Sequence, residues 1–500
     1  MKSRHVCALL LTVWGMTSCS GLPPAGRTLE TKPPLFPDYV DVTIPYNMAP
    51  LHFKLADTCR YEQAYATFEA EDGPAVNVKA KNGQFAVSPA AWKKLMDGRA
   101  GRAIRVTVTV RTDGEWVAYA PFRWQVAQEP ADPYIVYRLI EPGYEVWNEM
   151  GLYQRHLESF RESAIVTNRQ TQFNCMNCHS FCMQNPEKML FHMREKFPCT
   201  VLIDGDRMEK LNTKTEQTLS ALVYPSWHPS GRYVAFSVND TKQLFHTADR
   251  NRIEVFDLAS DVVVYDVEKH EIVTAPELFS PKAFETFPTF SPDGHTLFFC
   301  SSDTFGMPGG YAKVKYSLCS IAFDPERRQF GTEVDTLYHA GAHQKSVSFP
   351  RVSPDGQFLM FTLAGYGNFS IWHRDADLYL LNLSDGTVRP LDALNSDEVE
   401  SYHSWSSNSR WVVFSSRRMD GLYTRPYLAY VDAAGVASKP FLLPQEDVDF
   451  YPSFMKSFNI PEFVTGKVKT RGFAVGRKVK NDGGIDVTFA GTGRSDRIQK

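Results

Sequence analysis

Cys175-Met176-Asn177-Cys178-His179 is the only C-x-x-C-H in the 500 residues. Two thiols at this spacing can form thioethers to the vinyl groups of one haem, and the adjacent imidazole then reaches the iron. With 9 Cys and 13 His in the chain, composition alone gives about 0.004 occurrences of the pattern. The motif points to one covalent haem c, held by Cys175 and Cys178 with His179 as proximal ligand. His192 is the favoured sixth ligand, and Met183, Met189 and Met193 stay open as alternatives. His192 and Met193 are neighbours in an expected strand, so only one of them faces the motif. A rival chemistry is zinc, because Cys175, Cys178, Cys182, His192 and Cys199 offer more than four ligands. The third possibility is no cofactor, with these cysteines in disulfides.

A second group of reactive side chains lies later in the chain. His339, His343, His373-Arg374-Asp375-Ala376-Asp377, His403, Arg417-Arg418 and Tyr423-Thr424-Arg425 combine imidazoles and guanidinium groups. His373, Arg374, His403, Arg417, Arg418 and Arg425 form a candidate ligand face, where arginines can hold a carboxylate or phosphate. The competing reading is surface ion pairs and hydrogen bonds between repeats. No G-x-S-x-G elbow, H-E-x-x-H or P-loop occurs, so hydrolase and nucleotide chemistry have no support. Carrier or binding roles are expected over an enzyme.

The N-terminus has the marks of export. Lys2 and Arg4 precede an apolar run from Val6 to Trp14, followed by Met16-Thr17-Ser18-Cys19. Small residues before a cysteine resemble a bacterial lipobox, although Met16 stands where leucine is usual. The resemblance implies a lipoprotein signal over 1–19, acylation of Cys19 and a proline-bearing tether over 20–35. The expected location is the cell envelope, lipid-anchored and facing the periplasm, on the outer membrane in preference to the inner. An envelope protein is the expected partner. A net charge of −3 with no basic patch argues against nucleic acid. No later segment approaches the ~18 apolar residues of a membrane helix. An oxidising compartment permits Cys300–Cys319 and Cys182–Cys199 disulfides, leaving Cys59 free and buried.

The elements that must position these residues are strands. Residues 36–128 alternate in Val40–Ile44, Ile104–Val110 and Trp116–Tyr119, with Asn82-Gly83 and Asp113-Gly114 turns between. This predicts a small β-sandwich of immunoglobulin-like character. Residues 129–172 are expected to connect it to the next domain, with Tyr144, Trp147 and Tyr153 packing between domains or against a haem edge. From residue 224 the chain repeats: Tyr224-Pro-Ser-Trp-His-Pro-Ser-Gly231, Phe287-Pro-Thr-Phe-Ser-Pro-Asp-Gly294, Phe349-Pro-Arg-Val-Ser-Pro-Asp-Gly356 and Tyr402-His-Ser-Trp-Ser-Ser-Asn-Ser409, with a worn copy at Tyr451-Pro-Ser-Phe454. Each predicts strand, tight turn, strand, because proline presets φ and glycine tolerates positive φ. A second hairpin follows each copy, giving four strands per unit.

The repeat resembles the WD40-like repeat of TolB-type propellers across residues 173–455. That resemblance implies an all-β chain: a six-bladed propeller over 173–470, with C-x-x-C-H in its first blade, then a basic tail over 471–500. On this reading Met189–Met193 and Thr200–Asp204 are the second and third strands of that blade, and the last 15 or so residues are mobile. The arrangement also resembles uncharacterised bacterial lipoproteins sometimes labelled cytochrome c biosynthesis proteins. The first expectation for function is a membrane-anchored c-type haem protein that carries electrons or uses haem as a staple for binding. The alternative is a non-redox propeller scaffold of the envelope.

Overall fold

In the computed structural model, residues 25–490 are described, apart from 72, 74, 142–147 and 250. The expected lipidation site Cys19, the aromatics Tyr144 and Trp147, and the last ten residues of the tail lie outside them. Strand is the commonest element among the described residues, and the alternation read from the sequence is the cause. In Ala103–Thr112 the side chains of Ile104, Val106, Val108 and Val110 are buried while Arg105 is exposed, as a period of two requires.

Two sheets form the N-terminal unit. One has seven strands, including Gln63–Ala70, Ala103–Thr112 and Phe122–Val126; the other has Leu35–Phe36, Phe53–Leu55 and Gln84–Phe85. Their facing side chains share one core, in which the Phe53 ring lies 5.0 Å from Phe85 and 6.3 Å from Trp124. The expected tether already contributes here, because Arg27–Thr28 pairs in parallel with Glu115–Ala118. Trp411, Phe441 and Phe458 belong to the same core, so this unit is fused to the remainder by packing. Polar contacts reinforce the seam: Tyr39 donates to Leu442 O at 3.1 Å, and Ser407 donates to Asp132 from its amide at 2.7 Å and from Oγ at 2.6 Å.

Six further sheets each contain four antiparallel strands. Sheet I is made by Tyr134–Ile140, Gly151–His156 and Glu162–Thr167, with Ser457–Val464 from the far end of the chain as its inner strand. Sheets II to VI start at inner strands Met176–Phe181, Val223–Trp227, Ala283–Phe290, Ser346–Val352 and Glu400–Trp405. These six inner strands touch in a closed cycle, each against the next. The result is propeller-like, and pairing the C-terminal strand with an N-terminal one shuts the ring.

Three details differ from the sequence reading. The stretch expected to be a connector supplies three strands of sheet I, so the C-x-x-C-H sheet is second in chain order. Its second and third strands are Lys188–Met193 and Cys199–Asp204, close to expectation. Tyr451-Pro452-Ser453 is part of a short helix, Phe450–Ser453, and the sixth copy of the repeat is Ile460-Pro461-Glu462-Phe463. Residues 472–489 of the basic tail form regular elements. Helix Gly472–Asn481 buries Val475 and Val479 in a core shared with Ile165 and Val166, and Ile485–Asp486 and Thr488–Phe489 add parallel strands to the outer edges of sheets II and III.

One local device recurs in every inner strand. Cys178, Tyr224, Phe287, Phe349, Tyr402 and Ile460 all have φ between +49° and +52°, and the register with the neighbouring strand slips there in all six sheets. A side chain held at such a φ costs about 1–3 kcal/mol, so the bulge persists only because ring packing imposes it. The bulge turns the aromatic residues toward the ring axis. Tyr224–Phe287, Phe287–Phe349 and Phe349–Tyr402 have centroids 4.6, 4.1 and 4.8 Å apart. The next residue is Pro225, Pro288, Pro350 or Pro461 in four sheets, at a place where the ladder needs no N–H. In the other two it is His179 and His403.

Candidate functional site: the cysteine motif and the ring axis

The C-x-x-C-H residues are absorbed into this device. Cys178 takes the position of the axial aromatics, and His179 takes the position of proline. Cys178 lies among the axial phenols: burial, and then the neighbouring Cys178, push Tyr224 upward, and burial likewise raises Tyr402. His179 has a side chain 1% exposed. The backbone of Val136 and Ile460 in sheet I lies beside its ring, and burial lowers the imidazole to about 3. His403, in sheet VI on the other side of sheet I, repeats this arrangement. Its Nε2 meets Met360 O at 2.9 Å, the backbone of Phe349 lies beside it, and burial lowers it to about 3. The equivalence is one of register: Val136 pairs with Glu462 as Met360 pairs with Arg351.

A covalent haem does not fit residues placed this way. Cys175 packs in the core between sheets I and II with Met150, Met176 and Val475, whereas Cys178 is turned to the axis. The imidazole that follows Cys178 is wedged against a neighbouring sheet, its Nε2 3.9 Å from Glu462 Oε2. No common face presents two thiols and a free nitrogen to one macrocycle. His192 sits opposite Asn177 and Thr200 in the ladder, with Nδ1 3.4 Å from Thr200 Oγ1, and burial lowers it to about 3. Met189 and Met193 are core residues, and Met183 is exposed.

The zinc alternative fails on the same geometry. Among the described residues no three His, Cys, Asp or Glu side chains converge as a metal ion requires. Burial raises the Cys182 and Cys199 thiols to about 11, which keeps them protonated and inert. The expected disulfides are absent too, since the seven described cysteines are free. Cys300 pairs with Leu318 and Phe299 with Cys319, so the two thiols stand on opposite faces of their sheet. Cys182 packs with Leu190 and Trp227, while Cys199 packs with Met176 and Phe191. Cys59 is free but half-buried, near the Tyr119 hydroxyl.

The candidate ligand face is not one surface. His373 is buried against Glu254, Nε2 to Oε2 3.0 Å. His403 lies between sheets V and VI. Arg418 is paired with Glu400 at 2.9 Å, and Arg425 donates to the carbonyls of Lys456, Tyr451 and Phe454. Arg374 and Arg417 share a cavity, of about 510 Å³, with Trp372 and Asp420. Even there Arg374 is tied to Glu398 at 2.6 Å. Arg417 stacks 3.4 Å over the Trp372 ring, and burial lowers its guanidinium to about 9.

The sequence reading missed the other end of the ring axis. Two residues after each bulge stand Ser180, Ser226, Thr289, Arg351, Ser404 and Glu462, around a cavity of about 120 Å³. Burial raises the Glu462 carboxyl to about 8, against the lowering pull of Arg351. The signal was present in the aligned repeat: that column is Ser or Thr in four copies and charged in two.

No family model matches the chain, and no curated protein matches it. Solved structures similar to it are led by β-propeller proteins. The periplasmic gluconolactonase PpgL of Pseudomonas aeruginosa is 13% identical, with a TM-score of 0.37, over 66% of this chain and 99% of that one. An oligogalacturonate lyase in complex with manganese is 10% identical, with a TM-score of 0.34, over 62% of this chain and 73% of that one. The β-propeller domain of the Trilobed protease from Pyrococcus furiosus is 12% identical, with a TM-score of 0.32, over 70% of this chain and 96% of that one.

Proposed function

We propose that this chain is a non-redox binding scaffold of the cell envelope. It is a six-bladed propeller with a small β-sandwich seated on its flank, held to a membrane through a lipid on Cys19 and working with an envelope protein partner. One observation carries the non-redox reading: Cys178-His179 fills the same bulge pair as Tyr402-His403, so the motif is accounted for by the scaffold. Residues that a ring needs for closure are poorly placed to open for a macrocycle.

A pyridine haemochrome spectrum tests this directly. The protein is purified from cells that attach haem to other exported proteins, beside a Cys175→Ala/Cys178→Ala variant. The expected result is no c-type band in either. A band in the wild type that disappears in the variant would overturn the scaffold reading. The anchor is tested separately, by labelled palmitate incorporated into wild type and lost in Cys19→Ala.

A further inference from the structure

We propose that the axial cavity beside Glu462 binds a carboxylate, with Arg351 as the anchoring cation and the hydroxyls of Ser180 and Thr289 as further donors. The site deepens the binding reading above. It does not depend on the fate of the cysteine motif, so the haemochrome result and the result below are independent.

The geometry supplies the argument. Six equivalent positions converge on one cavity, and the strands that carry them are fixed by ring closure, which makes the site preorganised. Four of the six are hydroxyls that pair only loosely among themselves, as in Ser226 Oγ to Thr289 Oγ1 at 3.5 Å. Ser404 Oγ donates to Pro461 O at 2.7 Å. Arg351 donates to the adjacent Pro350 O at 3.1 Å and, among the described residues, has no carboxylate within ion-pair reach. Burial lowers its guanidinium, against the raising pull of Glu462. Glu462 Oε2 and His179 Nε2 are both buried, 3.9 Å apart, and neither makes a hydrogen bond. Unpaired buried polar groups each cost about 1–3 kcal/mol, and a ligand that satisfies several at once recovers that cost.

Arg351 brings donors and no acceptor, so the ligand that meets it must bring acceptors. Glu462 faces His179, Arg351 and the Phe181 amide; burial raises its carboxyl to about 8, which makes it a donor at neutral pH. A planar carboxylate matches a guanidinium fork. The cavity, about 120 Å³, is well below the roughly 300–1,000 Å³ of sites for drug-sized ligands. It admits a carboxylate with a few further atoms, either a free small acid or the end of a chain.

Isothermal titration calorimetry on the full chain tests the site. The probes are acetate, and the tripeptide Gly-Gly-Ala beside its C-terminal amide, against chloride at matched ionic strength. Saturable binding of acetate, or of the tripeptide acid and not its amide, is expected, and the positive arm identifies the source of the carboxylate. Arg351→Gln is expected to weaken binding at least tenfold. Glu462→Gln, which keeps a donor, is expected to retain affinity within about threefold and to abolish the fall in binding above pH 8. Ser180→Ala/Thr289→Val gives a second test that leaves both charges in place, with an expected loss of about tenfold. No saturable binding of any carboxylate, or binding unchanged in Arg351→Gln and in the hydroxyl variant, would overturn the proposal.

Discussion

His179 and His403 stand where four other inner strands carry proline, and this sets the prediction at the scale of a residue. His179→Pro and His403→Pro are expected to fold, with melting temperatures within a few degrees of wild type, because the bulge already accepts proline elsewhere. The pH dependence follows from the same burial. His179, His192 and His403 are held near 3 against an ordinary 6.5, so the unfolded chain binds more protons between those values. Their contribution to stability is complete above pH 6.5 and is lost as pH falls toward 3, at up to about 1.4 kcal/mol per pH unit for each histidine. Glu462 has the opposite sign. Its carboxyl rises from 4.5 to about 8, so stability is complete below pH 4.5 and declines as pH rises to 8. Denaturant titrations across pH 3–9 are expected to show a flatter acid limb in His403→Pro and a flatter alkaline limb in Glu462→Gln.

Among the elements, the hairpin of Tyr233–Phe245 and Ile253–Asp266 is the longest, with strands of 13 and 14 residues. Its outer half leaves sheet III and is held by loops of other sheets. Tyr316 and Asn368 donate to Asp257 Oδ2, at 3.3 and 2.5 Å. Tyr366 and His373 bind Glu254. The tip carries exposed Leu244 and Phe245. Without these partners the outer half would be a two-stranded ribbon, which is marginal in water. Glu254→Ala leaves His373 and the Tyr366 hydroxyl unsatisfied, with an expected cost of about 1–3 kcal/mol. Limited proteolysis is expected to cut between residues 244 and 252 in this variant well before the wild type.

For the whole molecule, closure depends on one strand from each end. Ser457–Val464 pairs with Tyr134–Ile140, so removing everything after Lys456 opens sheet I and exposes its inner edge. That truncation is expected to abolish the cooperative thermal transition. Removing everything after Thr470 leaves the ring shut but uncovers the outer edges of sheets II and III and the core under Val475 and Val479. It is expected to give a lower melting temperature and concentration-dependent aggregation, seen by light scattering.

What the sequence determined by itself was local. Pro-Asp-Gly turns and period-two alternation fix strands and hairpins over a few residues, and their repetition every blade announced a propeller-like ring. Only the tertiary structure decided the meaning of Cys175-Met176-Asn177-Cys178-His179, because the bulge that places Cys178 on the axis and His179 between sheets is imposed by ring packing. The sixth repeat was hidden for a similar reason: Ile460-Pro461-Glu462-Phe463 lacks the aromatic, and its strand is recognised by its partner more than 300 residues earlier. Cys300 and Cys319 looked like a disulfide because strand proximity is readable, whereas the one-residue register that separates their faces is not. The carboxylate site belongs to the same class. Its six residues are far apart in the chain, and only closure of the ring brings their side chains to one axis.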